Sequence, residues 1–160
     1  MIRPVEDGDR ESVRALLSAV RPGPVDADEA LEAVRGEMKV ARFWPEIPAL
    51  CALQHYSAPV HPLLPFAPSM ATQVTELLPL EAGRFTDGTM PKLLAVSLFE
   101  MALAHPEALG LPVWAFLDIA TALKYEPIFR ANVEVSRSGE RAVIWLPSLG
   151  AAITASAGRR

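Results

Sequence analysis

Two apolar segments in the second half of the chain restrict its architecture. The segment from Thr89 to about His105 is predicted to form a helix that is apolar on nearly all sides. Val113–Asp118 is predicted to form a short apolar strand. An apolar strand of this kind lies in the centre of a sheet, and a helix without a polar face packs against other structure. The pair therefore predicts a layered domain in which helices cover a sheet.

The first half of the chain also contains both predicted strands and predicted helices. Met1–Val5 reads as an opening strand, and Asp7 or Asp9 is placed to cap the helix that follows. That helix has apolar residues at the i, i+3, i+4 and i+7 positions, namely Val13, Leu16, Leu17 and Val20. A second helix begins at Asp26, where Glu29 completes a capping-box pattern.

The remaining segments complete an alternating order. Strands are predicted at Val40–Trp44, Ala49–Tyr56 and Ala71–Leu80, a short helix at Ile119 to about Tyr125, and a hairpin of Val133–Ser136 with Ala142–Leu146. The order is β-α-α-β-β-β-α-β-α-β-β. It predicts an α/β (α+β) fold with a mixed central sheet of about seven strands flanked by helices. We expect one domain over residues 1–147 and a loose tail over 148–160.

Composition excludes several classes of function. The formal net charge is -4 and the basic residues are scattered, so we expect no nucleic-acid partner. Cys51 is the only cysteine, which rules out a disulfide framework and favours a cytoplasmic setting. His55, His61 and His105 show no metal-ligand spacing, so we expect no metal. The most apolar stretch, Leu93–Ala104, is too short to span a bilayer, so we expect no membrane partner.

Three segments carry a resemblance to a known family. They are the opening IRPVEDGDRESVRALL, the strand end Leu77-Leu78-Pro79 before a glycine-containing loop and helix, and Ala120-x-x-Leu123-Lys124-Tyr125 with Phe129 further on. Together with the element order, they resemble the GNAT superfamily of N-acyltransferases. The resemblance implies an acetyl-CoA or other acyl-CoA donor and an amine acceptor, either a small molecule or a protein.

The resemblance also implies roles for particular residues. Glu76 takes the position of the general base, and Tyr125 is a candidate for the acid that protonates the leaving thiolate. The backbone near Leu78 would polarise the thioester. The CoA pyrophosphate would lie on the loop before the third helix, at Arg84, Gly88, Thr89 and Met90. Each residue also has a purely structural interpretation: an ion-paired strand glutamate, a packed aromatic ring, or an ordinary helix cap.

Departures from the family pattern leave a second hypothesis open. Phe85 and Met90 stand at loop positions where the family has other residue types, and Asp87 adds a negative charge to the loop. The alternative is a GNAT-like binding or assembly module without CoA, for example a phage-encoded or virion-associated protein. Its protein partner would bind through Pro59–Pro68, whose prolines exclude a helix or a central strand.

Overall fold

The computed structural model describes residues 1–57, 61–65, 70–79 and 89–157. Seven strands form one sheet in the order β1-β2-β3-β4-β5-β7-β6. They are β1 Arg3–Pro4, β2 Lys39–Trp44, β3 Ala49–Ser57, β4 Met70–Pro79, β5 Val113–Asp118, β6 Asn132–Val135 and β7 Arg141–Leu146. Five α-helices flank the sheet: α1 Arg10–Ser18, α2 Ala27–Val34, α3 Thr89–Ala104, α4 Ile119–Phe129 and α5 Leu149–Ala157. The predicted fold class and the predicted order of elements as far as β7 are confirmed.

Helices cover both faces of the sheet. On the front face, α1 and α2 pack over β2 and β3 through residues such as Leu17, Leu31 and Leu50. On the back face, α3, α4 and α5 pack over the middle of the sheet through residues such as Leu98, Tyr125 and Leu149. Side chains alternate between the two faces along each strand. The front and back helix layers therefore pack against different residues of the same strands. This is the three-layer arrangement predicted from the sequence.

Strands β4 and β5 form the only parallel pair in the described sheet, and their pairing is short. Thr72 pairs with Val113 and Gln73 with Trp114, and no further pair joins the two strands. The other strand pairs are antiparallel, and β5 pairs with β7 along its whole length. Beyond the second pair, β4 and β5 therefore diverge and leave a gap in the sheet.

A β-bulge in β4 lies next to this gap. Ala52 pairs with Glu76 and Leu53 with Val74, so Thr75 is an extra residue on β4. The Thr75 hydroxyl donates to the carbonyl of Ala52 at 3.1 Å and holds the bulge in place. Bulges bend a strand and increase its twist, which is consistent with the divergence of β4 from β5.

Two predictions near the C-terminus are wrong, one about the tail and one about the end of α4. Residues 148–160 read as a loose tail, but Leu149–Ala157 form α5, with Leu149 and Ala152 fully buried. The Ser148 hydroxyl accepts from the amide of Ala151 at 3.0 Å, and the alanines that follow favour a helix once it is started. Helix α4 was expected to end before Pro127, yet it continues to Phe129 and ends at Arg130, whose φ of 52° is left-handed.

The junction between β1 and α1 is fixed by Asp9. Both carboxylate oxygens accept from the Arg3 guanidinium, at 2.7 and 2.8 Å, and one also accepts from the amide of Glu6 at 2.8 Å. The expected capping of α1 by Asp9 is therefore replaced by a bond to the turn before the helix. Arg3 holds the pKa of Asp9 below its usual range, against the opposing effect of burial.

Candidate active site between β4 and β5

At the gap between β4 and β5, no strand of the described residues covers the strand backbone. Beyond Gln73 and Trp114, neither strand pairs with a described residue on the side of the gap. Unpaired backbone amides and carbonyls of this kind bind a ligand or water. The side chain of Leu78 packs against the front-face layer of α1 and α2. Leu78 can therefore meet a ligand in the gap only through its backbone, as the resemblance implied.

A small apolar cavity lies beside the gap, under the back-face helices. Its volume is about 40 Å³, and almost all of its surface is apolar. Its lining consists of Val74, Leu77, Leu94, Leu98, Val113, Trp114, Ala115, Leu117, Tyr125, Phe129, Ile144, Leu146 and Ala152. Apolar cavities of this kind stay dry and accept apolar groups. The cavity suits the methyl end of a short acyl chain better than a polar group.

Tyr125 is the predicted acid, and it lines this cavity. Its side chain is 1% exposed, and its hydroxyl has no hydrogen-bond partner among the described residues. Burial raises the pKa of Tyr125, and the neighbouring Cys51 raises it further. The phenol is therefore protonated at neutral pH. A buried hydroxyl without a partner costs free energy, and a ligand atom beside it would remove that cost.

Glu76 is the predicted base, and it lies on the other side of the sheet. It faces the front layer, opposite Ala52, and its side chain is 11% exposed. The guanidinium of Arg21, from the turn between α1 and α2, forms an ion pair with it. Burial raises the pKa of Glu76, and Arg21 opposes that rise. Glu76 and Tyr125 therefore lie on opposite faces of the sheet and are not in contact, with the gap between them.

The expected phosphate-binding residues are only partly described. Arg84 and Gly88 lie outside the described residues. Thr89 is the first residue of α3, and the first amides of a helix lack partners within it and favour an anion. The side chain of Met90 is fully buried in the back-face core. Met90 can therefore offer a ligand only its amide, and Pro91 has no N–H to offer.

Sequence reasoning missed Lys92, in the first turn of α3. Its side chain is exposed, and its ammonium lies 5.5 Å from the ring centre of Trp44. The first turn of α3 carries no acidic residue. A cation there opposes the helix dipole. That unfavourable placement is the signal that could have marked Lys92 as a candidate anion contact.

A second missed group is the ammonium of Lys124, on α4. Its nitrogen is buried and has no hydrogen-bond partner among the described residues. Ile128, one turn further along the same side of α4, lines a groove shared with α5. Buried ammonium groups are normally paired. Lys124 precedes Tyr125, and nothing in its local sequence distinguishes it from a solvated surface lysine.

The described part of the Pro59–Pro68 segment lies on the protein's own sheet. Residues 61–65 are described, and the rest of the segment is outside the described residues. The His61 ring lies 5.7 Å from Trp114 and 4.5 Å from Phe116, centre to centre. Leu64 is buried with Ala71 against β4, β5 and β7. These residues cover the front face of the sheet, which leaves less of the segment available to a protein partner.

Two features are absent from the described residues. No helix in the described ranges is long and apolar enough to cross a membrane. No group of three or more metal-binding side chains occurs in the part of the chain that the structure describes.

The structure is a three-layer α/β protein whose sheet has a gap between two parallel strands. No protein-family model and no curated protein sequence matches this chain. Solved structures do match it, among them an acetyltransferase, a putative acetyltransferase and a complex that binds CoA. The chain therefore has the GNAT fold.

Three of these structures show the extent of the likeness. A putative acetyltransferase from Salmonella typhimurium, yncA with its cofactor acetyl-CoA, is 12% identical, with a TM-score of 0.62 and 92% of each chain covered. The NatC complex bound to Gag peptide and CoA is 12% identical, with a TM-score of 0.59 over 92% of this chain and 97% of that one. The ribosomal-protein-S18-alanine N-acetyltransferase from Escherichia coli is 13% identical, with a TM-score of 0.57 over 91% and 90%.

Proposed function

We propose that this protein is an N-acyltransferase that uses acetyl-CoA or another acyl-CoA as donor. The observation that carries the proposal is the gap between β4 and β5, with uncovered β4 backbone beside an apolar cavity. The buried hydroxyl of Tyr125, which has no partner among the described residues, lines this cavity. Of the three similar structures described above, one contains acetyl-CoA and one contains CoA.

The described residues fit an acyl-CoA. The donor would supply an activated thioester. The first amides of α3 and the Lys92 ammonium would hold its phosphates, because both favour negative charge. The uncovered β4 backbone near Leu78 would orient the thioester carbonyl, and the apolar cavity would receive the acyl chain. Arg84 and Gly88 remain proposed phosphate contacts.

The two candidate catalytic groups would approach the reacting atoms from opposite faces of the sheet. From the front face, the Glu76 carboxylate would take a proton from the acceptor ammonium, and the amine nitrogen would then attack the thioester carbon. As the carbon–sulfur bond breaks, Tyr125 would give its proton to the sulfur from the back face. Burial keeps the Tyr125 hydroxyl protonated for this step.

An amine acceptor follows from the front-face position of Glu76. A buried carboxylate attracts a cation, and a protonated amine is one. The similar structures include an enzyme for the alanine of a ribosomal protein and a complex that binds a peptide. A small-molecule or protein amine acceptor in the cytoplasm is the corresponding proposal for this chain.

Calorimetric titration with acetyl-CoA tests the proposal. We expect micromolar binding, weakened about tenfold by Lys92→Gln, because an ammonium at the phosphates of the ligand contributes roughly 1.4 kcal/mol. Lys39→Gln is the matched control, since Lys39 contacts carbonyl groups of α2 instead. Binding to this control should equal binding to the wild type.

Absence of binding at millimolar acetyl-CoA would contradict the proposal. It would favour the alternative, a non-catalytic GNAT-like binding or assembly module. Two observations are compatible with that alternative: the Met90 side chain is committed to the core, and the Glu76 carboxylate is already paired. Its protein partner would then be sought by pull-down.

A further inference from the structure

A buried carboxylate meets a half-exposed guanidinium on the front face of the gap. The Glu76 side chain is 11% exposed, whereas that of Arg21 is 45% exposed. Among the described residues, Arg21 is the only charged group that acts on Glu76. The neighbouring β3 residues on the front face, Ala52 and Gln54, carry no charge. Within the described part of the chain, Arg21 alone therefore balances the charge of Glu76.

The two partners differ in what separation would cost them. A guanidinium that is already half in water regains its hydration when it leaves, so its release costs little. A buried carboxylate that loses its cation is left uncompensated, which is strongly unfavourable. A group that takes the place of Arg21 on Glu76 must therefore bring a positive charge of its own.

The backbone of Arg21 is held while its side chain is long and flexible. The Arg21 amide donates to the carbonyl of Leu17 at 3.0 Å, in the turn that ends α1. Pro22, Gly23 and Pro24 follow, and Gly23 has a left-handed φ of 80°. Prolines on both sides of the glycine restrict this turn. Displacement of the guanidinium from Glu76 therefore requires rotation of the Arg21 side chain. It does not require movement of α1 or α2.

We propose that Arg21 is a specificity-determining residue whose guanidinium occupies the place on Glu76 that the acceptor's ammonium takes. The inference rests on the proposed function and adds a selection rule to it. A cationic acceptor displaces Arg21, and Glu76 then accepts the proton of that acceptor. Neutral nucleophiles such as water and alcohols do not displace Arg21 from Glu76. The Glu76 carboxylate then stays in its ion pair and does not accept their proton. Arg21 thus restricts the site to protonated amines.

Carbon-13 NMR of glutamate-labelled protein tests the exchange directly, with ethylammonium chloride as the probe. The Glu76 carboxyl signal is assigned by its loss in Glu76→Gln. We expect it to respond to ethylammonium at about tenfold lower concentration in Arg21→Gln than in the wild type, because the competing internal cation is gone. Arg21→Lys should behave like the wild type. Sodium chloride at equal ionic strength, and ethanol, should leave the signal unchanged in every variant.

Two results would overturn the inference. The first is an equal response of Glu76 to ethylammonium with and without Arg21. The second is an equal response of Arg21→Gln to ethylammonium and to sodium chloride. Circular dichroism melting of each variant establishes that it is folded. The experiment uses no acyl-CoA, so acetyl-CoA binding by the same samples tests the proposed function separately.

Discussion

At the scale of single residues, the candidate site is marked by groups whose partners are absent from the described residues or are displaceable. The buried Tyr125 hydroxyl has no partner in the described part of the chain, and Glu76 depends on one half-exposed guanidinium. Each of these arrangements costs folding free energy. A ligand in the gap would lower that cost, so the same features that weaken the free protein would favour binding.

Replacing Tyr125 by phenylalanine separates stability from catalysis. The change removes a buried hydroxyl that no described residue hydrogen-bonds, so we expect the free energy of unfolding in urea to rise by about 1 kcal/mol. If Tyr125 is the acid, kcat for acyl transfer falls by about a hundredfold. A variant that loses stability and keeps its kcat would show that the hydroxyl serves packing alone.

The sequence nominates individual candidate residues but does not identify their partners. Glu76 could be singled out from its place near a strand end. Its pairing with Arg21 could not, because the two residues are 55 positions apart and meet only when the α1–α2 turn folds over the sheet. Lys92 was overlooked because its unfavourable position in the helix dipole matters only once the start of α3 is known.

At the scale of elements, the spacing of apolar residues was sufficient to predict the type of a segment that has a single apolar face or that lacks a polar face. The stripe of α1, the predominantly apolar sequence of α3 and the apolar run of β5 gave their type and order correctly. Small residues gave no such signal. Helix α5 is built from alanine, glycine, serine and threonine with a few larger residues, and it is stabilised by burial of Leu149 and Ala152 against α3 and α4. Tertiary packing of this kind has no counterpart in the local sequence.

The β1–α1 junction provides a prediction about pH. The folded pKa of Asp9 lies below its unfolded value of about 3.9, so its stabilising effect is complete above that pH. The effect is lost as the pH falls through the folded pKa. Asp9→Asn should therefore lower the free energy of unfolding by about 2 kcal/mol at pH 7. The variant should also lose less stability than the wild type when the pH is lowered from about 5 to about 2, because the folded pKa of Asp9 lies below its unfolded pKa.

The control for Asp9 is an exposed aspartate with a similar partner. Asp28 pairs with Arg10 at 2.8 Å, but its side chain is 72% exposed. Asp28→Asn should change the free energy of unfolding by less than about 1 kcal/mol. Equal losses for Asp9→Asn and Asp28→Asn in urea titrations would mean that burial of the Asp9 carboxylate adds nothing to the junction.

At the scale of the whole molecule, the described sheet is continuous on each side of the gap and weakly joined across it. Two residue pairs join β4 to β5. By contrast, β3 pairs with β4 along nearly their whole length, and β7 pairs with all of β5. On the back face, α3 packs against β2, β3 and β4, and α4 packs against β5, β6 and β7. Helix α5 contacts both α3 and α4. This organisation places the cavity where three helices and two separated strands meet, at the site proposed for the acyl chain.

Filling the cavity tests whether this organisation serves catalysis. Ala115 is a buried β5 residue in its lining. Ala115→Val adds two methyl groups and a β-branched side chain that suits a strand. If they enter the void, we expect the free energy of unfolding to stay equal or rise by about 1 kcal/mol.

The same variant should lose at least about tenfold in kcat/KM with acetyl-CoA, because the acyl methyl and the valine would compete for one space. Ala41→Val is the matched control, since Ala41 is also a buried strand residue but lies on β2 at the front face, outside the cavity. There the added volume should cost about 1–3 kcal/mol and leave acetyl-CoA binding unchanged. If Ala115→Val instead destabilises the protein like Ala41→Val and leaves transfer unaffected, the cavity is a packing defect and the acyl chain lies elsewhere.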